Sequence, residues 1–466
     1  MTLRQDPLRL AAFGAFGFAA LALGGLAGLN PLLAIAGVVA LTFAVAVFTD
    51  LAVGLAMFIA VTFSDILPVG DSPIVSAVKL AGAVLALAWI AVITTRRRPT
   101  PNLVTEHSGL VIALAAFLCW AAVSTVWATD SHEALLATQR YGLNFLLIPI
   151  VFTAVQTRRD LIWVVGAFIA GAVLSACFGL ASPPNPTEDL ARIEAAGLNA
   201  NDLATVLVAG LVLAIGVASY ARRSPLIQLI AVSAAIVCAS SLVLTLSRSG
   251  LVALGVALLA SLLVASRRRG RAVAIAVVIA SATVAYFAFV APPEARERVT
   301  TFESDQGTGR VDIWTVGWRM VEDKPVTGVG VGNFRHTTPD YLLSAPGSIQ
   351  RSDLIIDDPK VAHNMYLEAL AELGVLGFLL FVAVIVLSVR ETLRAARRFY
   401  EERDTRMEAL SRAVFAAQLG FLAAAFFASI EFNKQLWVLL ALGPALSYLA
   451  GIRRRAPARG PAYRRS

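Results

Sequence analysis

Apolar runs of about 20 residues recur along this chain almost from end to end. That length is what a helix needs to cross a bilayer, so the repetition decides the solvent before any other feature is read. Fourteen runs stand out, near 10–27, 31–48, 51–67, 74–94, 108–127, 134–155, 160–180, 201–221, 225–245, 249–266, 272–291, 364–389, 409–429 and 433–451. The 31–48, 51–67 and 249–266 runs are short, and one pair could form a re-entrant hairpin, so twelve to fourteen spans are expected. The 466 residues are 58% hydrophobic and 15% charged, with a mean hydropathy of +0.74. A soluble domain carries about 25% charged residues. The runs are continuous rather than alternating, which excludes a β-barrel. The expected fold is all-α: a polytopic transmembrane helical bundle. Cys119, Cys177 and Cys238 all fall in apolar runs and read as buried, inert thiols. The first run follows Arg4 and Arg9 but lacks a small-residue cleavage site, so it reads as a retained helix.

Charge sets the orientation. Arg96–Arg98, Arg158–Arg159, Arg222–Arg223, Arg267–Arg269 with Arg271, seven arginines from Arg390 to Arg412, six from Arg453 onward, and Arg4 with Arg9 make 26 of the 39 Lys and Arg. They fall in the loops after even-numbered runs and at the two ends. By the positive-inside rule these segments and both termini are cytoplasmic. The net charge of +8 is then mostly a topogenic signal, and no nucleic-acid partner is expected. Lys79 and Arg140 lie inside runs and are expected to face the bundle interior, because lipid disfavours them. The division that follows is 1–180 for N-terminal spans, 181–291 for central spans, 292–363 for an outward polar loop, 364–451 for C-terminal spans and 452–466 for a basic cytoplasmic tail.

The polar insert of residues 292–363 is the place for chemistry, since the rest of the chain is greasy enough for lipid. Gly307-Thr308-Gly309 reads as a flexible start, followed by an amphipathic helix from Arg310 to about Glu322. Trp314, Trp318 and Val321 recur at helical spacing and suggest an interfacial helix with tryptophans at headgroup level. Lys324-Pro325 ends it. The glycines of Gly328-Val329-Gly330-Val331-Gly332 have neither a preceding strand nor a following Lys-Ser/Thr, so a nucleotide loop is rejected. A tight turn whose amides approach a phosphate stays open. Pro339–Pro359 reads as a loop or lid.

Three constellations carry candidate chemistry. His363-Asn364, continuing through Glu368 and Glu372, sits where the loop meets a membrane helix. Arg248, in Thr245-Leu246-Ser247-Arg248-Ser249-Gly250, is either a snorkelling interfacial arginine or an anion ligand. Arg192 precedes Asn199-Ala200-Asn201-Asp202, where Asn201 or Asp202 is a candidate helix cap. No zinc-type ligand spacing is present.

These motifs, with Gly309-Arg310-x-x-Ile313-Trp314, Pro325 to Gly330, and Glu372-Leu373-Gly374-x-x-Gly377, resemble the O-antigen ligase and O-antigen polymerase family of bacterial membrane glycosyltransferases. The resemblance covers roughly residues 190–390, and the first 180 residues match only as generic spans. It implies an enzyme of the bacterial inner membrane whose active site opens on the periplasmic side. Such an enzyme moves a glycan from undecaprenyl diphosphate to an acceptor hydroxyl, on lipid A–core for a ligase or on a glycan chain for a polymerase, with no metal and no cofactor. It further implies His363 as the essential histidine and Arg310, Arg248 and Arg192 as diphosphate ligands, with Asn364, Glu368, Trp314 and Asn201 in support.

The residue types suit that chemistry. A diphosphate is already a good leaving group, and an imidazole with an ordinary pKa of about 6.5 can take the acceptor proton. Guanidiniums offset charge developing on the leaving oxygen. One base acting opposite the diphosphate gives inversion. A secondary transporter would show midplane acidic residues and internal repeats, neither of which is evident, whereas a lipid-linked glycan flippase would also suit a cationic cavity.

Overall fold

The computed structural model describes residues 31–63, 77–95, 101–182, 192–195, 197–264, 269–300, 310–343 and 361–455. Among these the chain is an all-helical bundle with no strand beyond one isolated bridge, Ala195 to Leu198. The helices are α1 (Pro31–Thr49), α2 (Leu51–Val61), α3 (Ala77–Thr95), α4 (Ser108–Ser124), α5 (Ser131–Phe145), α6 (Leu147–Ala154), α7 (Arg158–Ala181), α8 (Ala200–Tyr220), α9 (Pro225–Leu244), α10 (Arg248–Val264), α11 (Arg269–Ala285), α12 (Pro293–Thr300), α13 (Arg310–Asp323), α14 (Phe334–Leu343), α15 (Met365–Glu401), α16 (Thr405–Ala424) and α17 (Lys434–Arg455). Every apolar run named above coincides with helix except the first, which lies outside the described residues, as does the 456–466 tail. Seven of the described helices are long and apolar enough to span a membrane, and four shorter apolar helices accompany them.

Local signals start the helices where polar residues interrupt the runs. Asp50, Asp130 and Asp404 accept hydrogen bonds from first-turn amides, and Thr157 with Asp160 forms a reciprocal capping box. Asn199, rather than Asn201 or Asp202, caps α8 by accepting from the amides of both. The centre of the bundle is α8, buried along most of its length and packed against α7, α9, α10 and α16. Small residues allow the close approach: a Cβ on Gly216 would lie 2.3 Å from the Ala413 Cβ, and one on Gly210 would lie 2.6 Å from that of Ala172. Basic residues at the end of the bundle opposite the insert are tied down. Arg158 pairs with Asp404, Arg394 with Glu391, and Arg412 with Glu408 at 2.9 Å.

Some expectations about single residues are corrected. Lys79 and Arg140 are exposed on the bundle exterior, Lys79 at the start of α3 and Arg140 with its guanidinium 5.8 Å from the Phe432 ring centroid. Placement at a helix end or against an aromatic face spares each the cost of the bilayer centre. Cys119 and Cys177 are exposed, and Cys238 alone of the three is buried. Buried carboxylates also occur within α15, at Glu368, Glu372 and Glu391.

The feature that joins insert and bundle is a break in α15. Gly374 has φ 65° and ψ −175° inside an otherwise continuous helix. The break frees the carbonyls of Ala371, Glu372 and Leu373, and each finds an outside donor: the Val329 amide (3.0 Å), the Gly330 amide (2.9 Å) and the Trp120 indole (2.9 Å). The Val375 amide in turn donates to Pro325 O at 2.8 Å. The backbones approach so closely that a Cβ on Gly374 would stand 2.1 Å from Val326 O. Gly374→Ala should therefore lower the thermal midpoint of the purified protein sharply, since the left-handed backbone alone costs about 1–2 kcal/mol and the clash adds to it. Gly255→Ala, in α10 where nothing lies within 4 Å of the new methyl, should leave the midpoint unchanged or raise it. Equal melts for the two variants would refute the docking role of the break.

Candidate functional site

The glycine turn before α14 does hold an acidic group, but the group belongs to the chain. Glu372 accepts from the Gly332 amide at 2.8 Å through Oε2 and from the Phe334 amide at 3.1 Å through Oε1. The Val331 amide goes to Ser124 Oγ at 3.2 Å, and Asn333 bridges to the backbone of Asp130. The amides that a phosphate would need are thus committed to the bundle, which corrects the reading of this turn as a phosphate approach. Positive φ at Gly328, Gly330 and Gly332 lets the amides converge in this way.

The amphipathic helix expected after Gly309 is α13, ending at Asp323 before Lys324-Pro325. Its buried face is Ile313, Val316, Gly317 and Met320, which pack with Phe334, Leu342, Ala362 and Ala371. Trp318 is exposed, whereas Trp314 is half-buried and Val321 packs against this cluster, so the three do not share one exposed stripe. Trp314 has a more specific contact: its indole donates to Ala362 O at 2.9 Å. Arg310 lies one turn before Trp314, on the same side of α13. That bond therefore brings the Arg310 end of the insert to the residue preceding His363.

His363 stands two residues before α15 with φ 48°, a left-handed conformation uncommon for a side chain of its size. Asn364 caps α15, accepting from the Tyr366 and Leu367 amides at 3.0 and 3.1 Å. Glu368, one turn into the helix, accepts from the Ala362 amide and from the Ser429 hydroxyl. The Met365 amide donates to Ala425 O (2.9 Å) and Ala428 O (3.1 Å). His363 is therefore flanked on both sides by residues whose backbones are fixed, and the turn between α16 and α17 is part of what fixes them.

That turn contains a residue the sequence reading passed over. Glu431 is buried, and its Oε2 has no hydrogen-bond partner among the described residues. Burial, followed by the neighbouring Glu368 carboxylate, holds its carboxyl well above the ordinary range, with Glu372 and Asp202 adding to the effect. In the sequence it was one acid in a short outer loop, and nothing in Ser429-Ile430-Glu431-Phe432 signals burial.

Asp202 leads to the remaining constellation. Arg192 is 9% exposed, and its guanidinium donates to Thr245 O at 3.0 Å and Asn201 Oδ1 at 3.4 Å. The same Asn201 oxygen accepts from Ser247 Oγ at 2.7 Å, and Ser247 reaches Ser249 Oγ (2.9 Å) and the Gly250 amide (3.2 Å). Arg192 and Asn201 thus fix the turn that presents Arg248 at the first position of α10, a turn strained at Leu246 with φ 50°. The two groups of residues share one end of the bundle, where α8, α10, α15 and α17 begin and α9 and α16 finish. His107 and His132 start α4 and α5, and His336 lies in α14. The first five residues of the expected 339–359 loop or lid are helical instead, ending α14, and residues 344–359 are outside the described residues. Among the described residues no group of three or more His, Cys, Asp or Glu is arranged to share a metal ion.

Comparison with known proteins converges on the same region. A family model described as O-antigen ligase matches residues 233–382, the stretch holding Arg248, Arg310, Trp314, His363, Asn364 and Glu368. An O-antigen ligase of Pseudomonas aeruginosa is 27% identical over 297 residues, which span 62% of this chain and 66% of that protein. Over this region, then, the chain is similar to O-antigen ligases, and it shares with a membrane protein the all-helical fold with spans long enough to cross a bilayer.

Proposed function

We propose that the protein is an inverting glycosyltransferase that moves a glycan from undecaprenyl diphosphate to an acceptor hydroxyl, in the manner of an O-antigen ligase. The observation that carries this reading is the convergence at one end of the bundle of a histidine and two arginines on three separate elements. Trp314 ties the Arg310 helix to Ala362, beside His363. Arg192 and Asn201 tie down the Arg248 turn. In the proposed step the acceptor oxygen attacks the anomeric carbon as its proton passes to the His363 imidazole. The bond from that carbon to the diphosphate oxygen breaks on the opposite face, and Arg310 and Arg248 take up the developing charge. Arg192 is better suited to positioning than to direct binding, because its donors already hold Thr245 and Asn201. Glu368 has a similar part, fixing the Ala362 amide next to the base.

The bundle end bearing the insert would face the periplasm, with both termini in the cytoplasm of a bacterial inner-membrane protein, as the arginine distribution indicates. There a lipid-linked donor brings its own leaving group, and neither metal nor cofactor is called for. The acceptor would be lipid A–core or another glycan. Residues 292–363 then form the catalytic loop, between central spans over 181–291 and C-terminal spans over 364–451.

Two measurements test this reading, and a third tests the burial of Glu431 beside the site. His363→Ala should lower transfer from purified lipid-linked glycan by about 10²–10⁴-fold while leaving membrane insertion intact. Full activity would remove His363 from the role of base. Arg310→Ala and Arg248→Ala should each weaken donor binding by roughly 10–100-fold, the equivalent of one or two charged hydrogen bonds, and Lys should restore little of it because it lacks the guanidinium fork. Undiminished donor affinity in both would count against diphosphate binding there. The third test uses Glu431, whose folded-state pKa is raised by burial above its unfolded value. The folded state then holds the proton more tightly, and stability falls as pH climbs above the unfolded carboxylate value of about 4.3. Glu431→Gln escapes that loss. Thermal melts of the variant and the parent should coincide near pH 4 and separate toward neutral pH, with the variant more stable by about 1 kcal/mol or more. A variant less stable at every pH would overturn the burial argument.

A further inference from the structure

Helix α11, with its π-helical continuation over Tyr286–Val290, is long and apolar enough to cross a membrane, yet Ala276 is the one buried residue of α11. It packs lightly on α10, and a cavity of about 850 Å³ separates it from α8 and α9. The walls are largely apolar, with Leu211, Val232, Ala235 and Val278 among them. Toward the end opposite the candidate site, the cavity meets a smaller one of about 150 Å³ enclosed by α8, α10, α11 and α16. Ile215, Ser219, Arg271 and Ile275 line both, so the two are continuous. At that end Arg222, Arg271 and Arg412 line the space together with Glu408, which pairs with Arg412 at 2.9 Å.

Packed interiors do not keep a space of this size empty, and an apolar lining offers water too few partners to fill it. A groove of this lining between membrane helices suits a hydrocarbon chain, and the arginines suit an anionic head. Guanidiniums match phosphate geometry, and basic pockets between membrane helices are where anionic lipid heads bind. We propose that this groove is a binding site for an anionic glycerophospholipid, with its phosphate at Arg222, Arg271 and Arg412 and its acyl chains between α11 and the α8–α9 pair. The site is at the far end of the bundle from Arg248 and Arg310 and does not depend on the glycosyl-transfer reading. The rival occupant is a polyprenyl chain entering from the opposite end.

The test is a thermal-melting titration of the purified full-length protein in detergent with phosphatidylglycerol or phosphatidylcholine. Phosphatidylglycerol should raise the midpoint and phosphatidylcholine should not. Arg222→Gln/Arg271→Gln should need about tenfold more phosphatidylglycerol for the same shift, whereas Arg390→Gln, exposed on α15, should titrate as the parent does. Ala239→Trp, which fills the groove from the far end of α9 and lines only the larger cavity, should abolish the shift, so the proposal can be judged even if the double variant fails to fold. Equal responses to the two lipids, an unchanged titration in both altered proteins, or loss of the phosphatidylglycerol response when undecaprenyl phosphate is added would each overturn the proposal. The last result would assign the groove to the donor.

Discussion

A helix cannot be broken inside a membrane protein without new partners for the groups it releases, and the Gly374 break in α15 organises the candidate site through that requirement. The released carbonyls are satisfied by the polar insert and by Trp120, and the carboxylate of Glu372 holds two more amides of the same turn. The insert is thereby welded to the first turns of α15, the helix that follows His363. From that weld α13 is set against α15 and Trp314 reaches Ala362, which turns the Arg310 end of α13 toward His363. A loop held only by its two ends would leave these groups to diffuse.

A second weld is made independently. The Arg192–Asn201–Ser247 network fixes the Arg248 turn to the head of α8, and α8 is the most enclosed helix of the bundle. The two halves meet through the turn between α16 and α17, which takes the Met365 amide and the Glu368 carboxylate on one side and feels the Asp202 carboxylate on the other. Preorganisation of this kind is what electrostatic catalysis asks of a scaffold, since charges already in place need not reorganise during the reaction.

The spans were legible in the sequence because crossing a bilayer is a matter of length and continuity, and the bounds of α7 to α10 follow the runs to within a few residues. The cap of α8 was expected at Asn201 or Asp202, but Asn199 stands just before them and takes it, because its side chain reaches the amides of both. The glycine turn was read as open to an outside anion because the sequence cannot show that Glu372, 40 residues from Gly332, fills it. Glu431 escaped for the same reason: burial of an acid is decided by what folds over it. The protein contact of α13 was not legible because tryptophans at helical spacing suit a membrane surface as well as a protein partner, and the hydrogen bond of Trp314 to the loop is a tertiary fact.

The backbone at His363 carries a further consequence. A residue with φ 48° sits where glycine or asparagine would be at ease, and an imidazole-bearing side chain there costs on the order of 1 kcal/mol. Random replacement scored for heat resistance alone would drift this position toward glycine, relaxing the main chain while deleting the proposed base. The histidine is thus a point where robustness and activity pull in opposite directions, and its persistence in any stabilised descendant of this protein would report selection for chemistry rather than for folding.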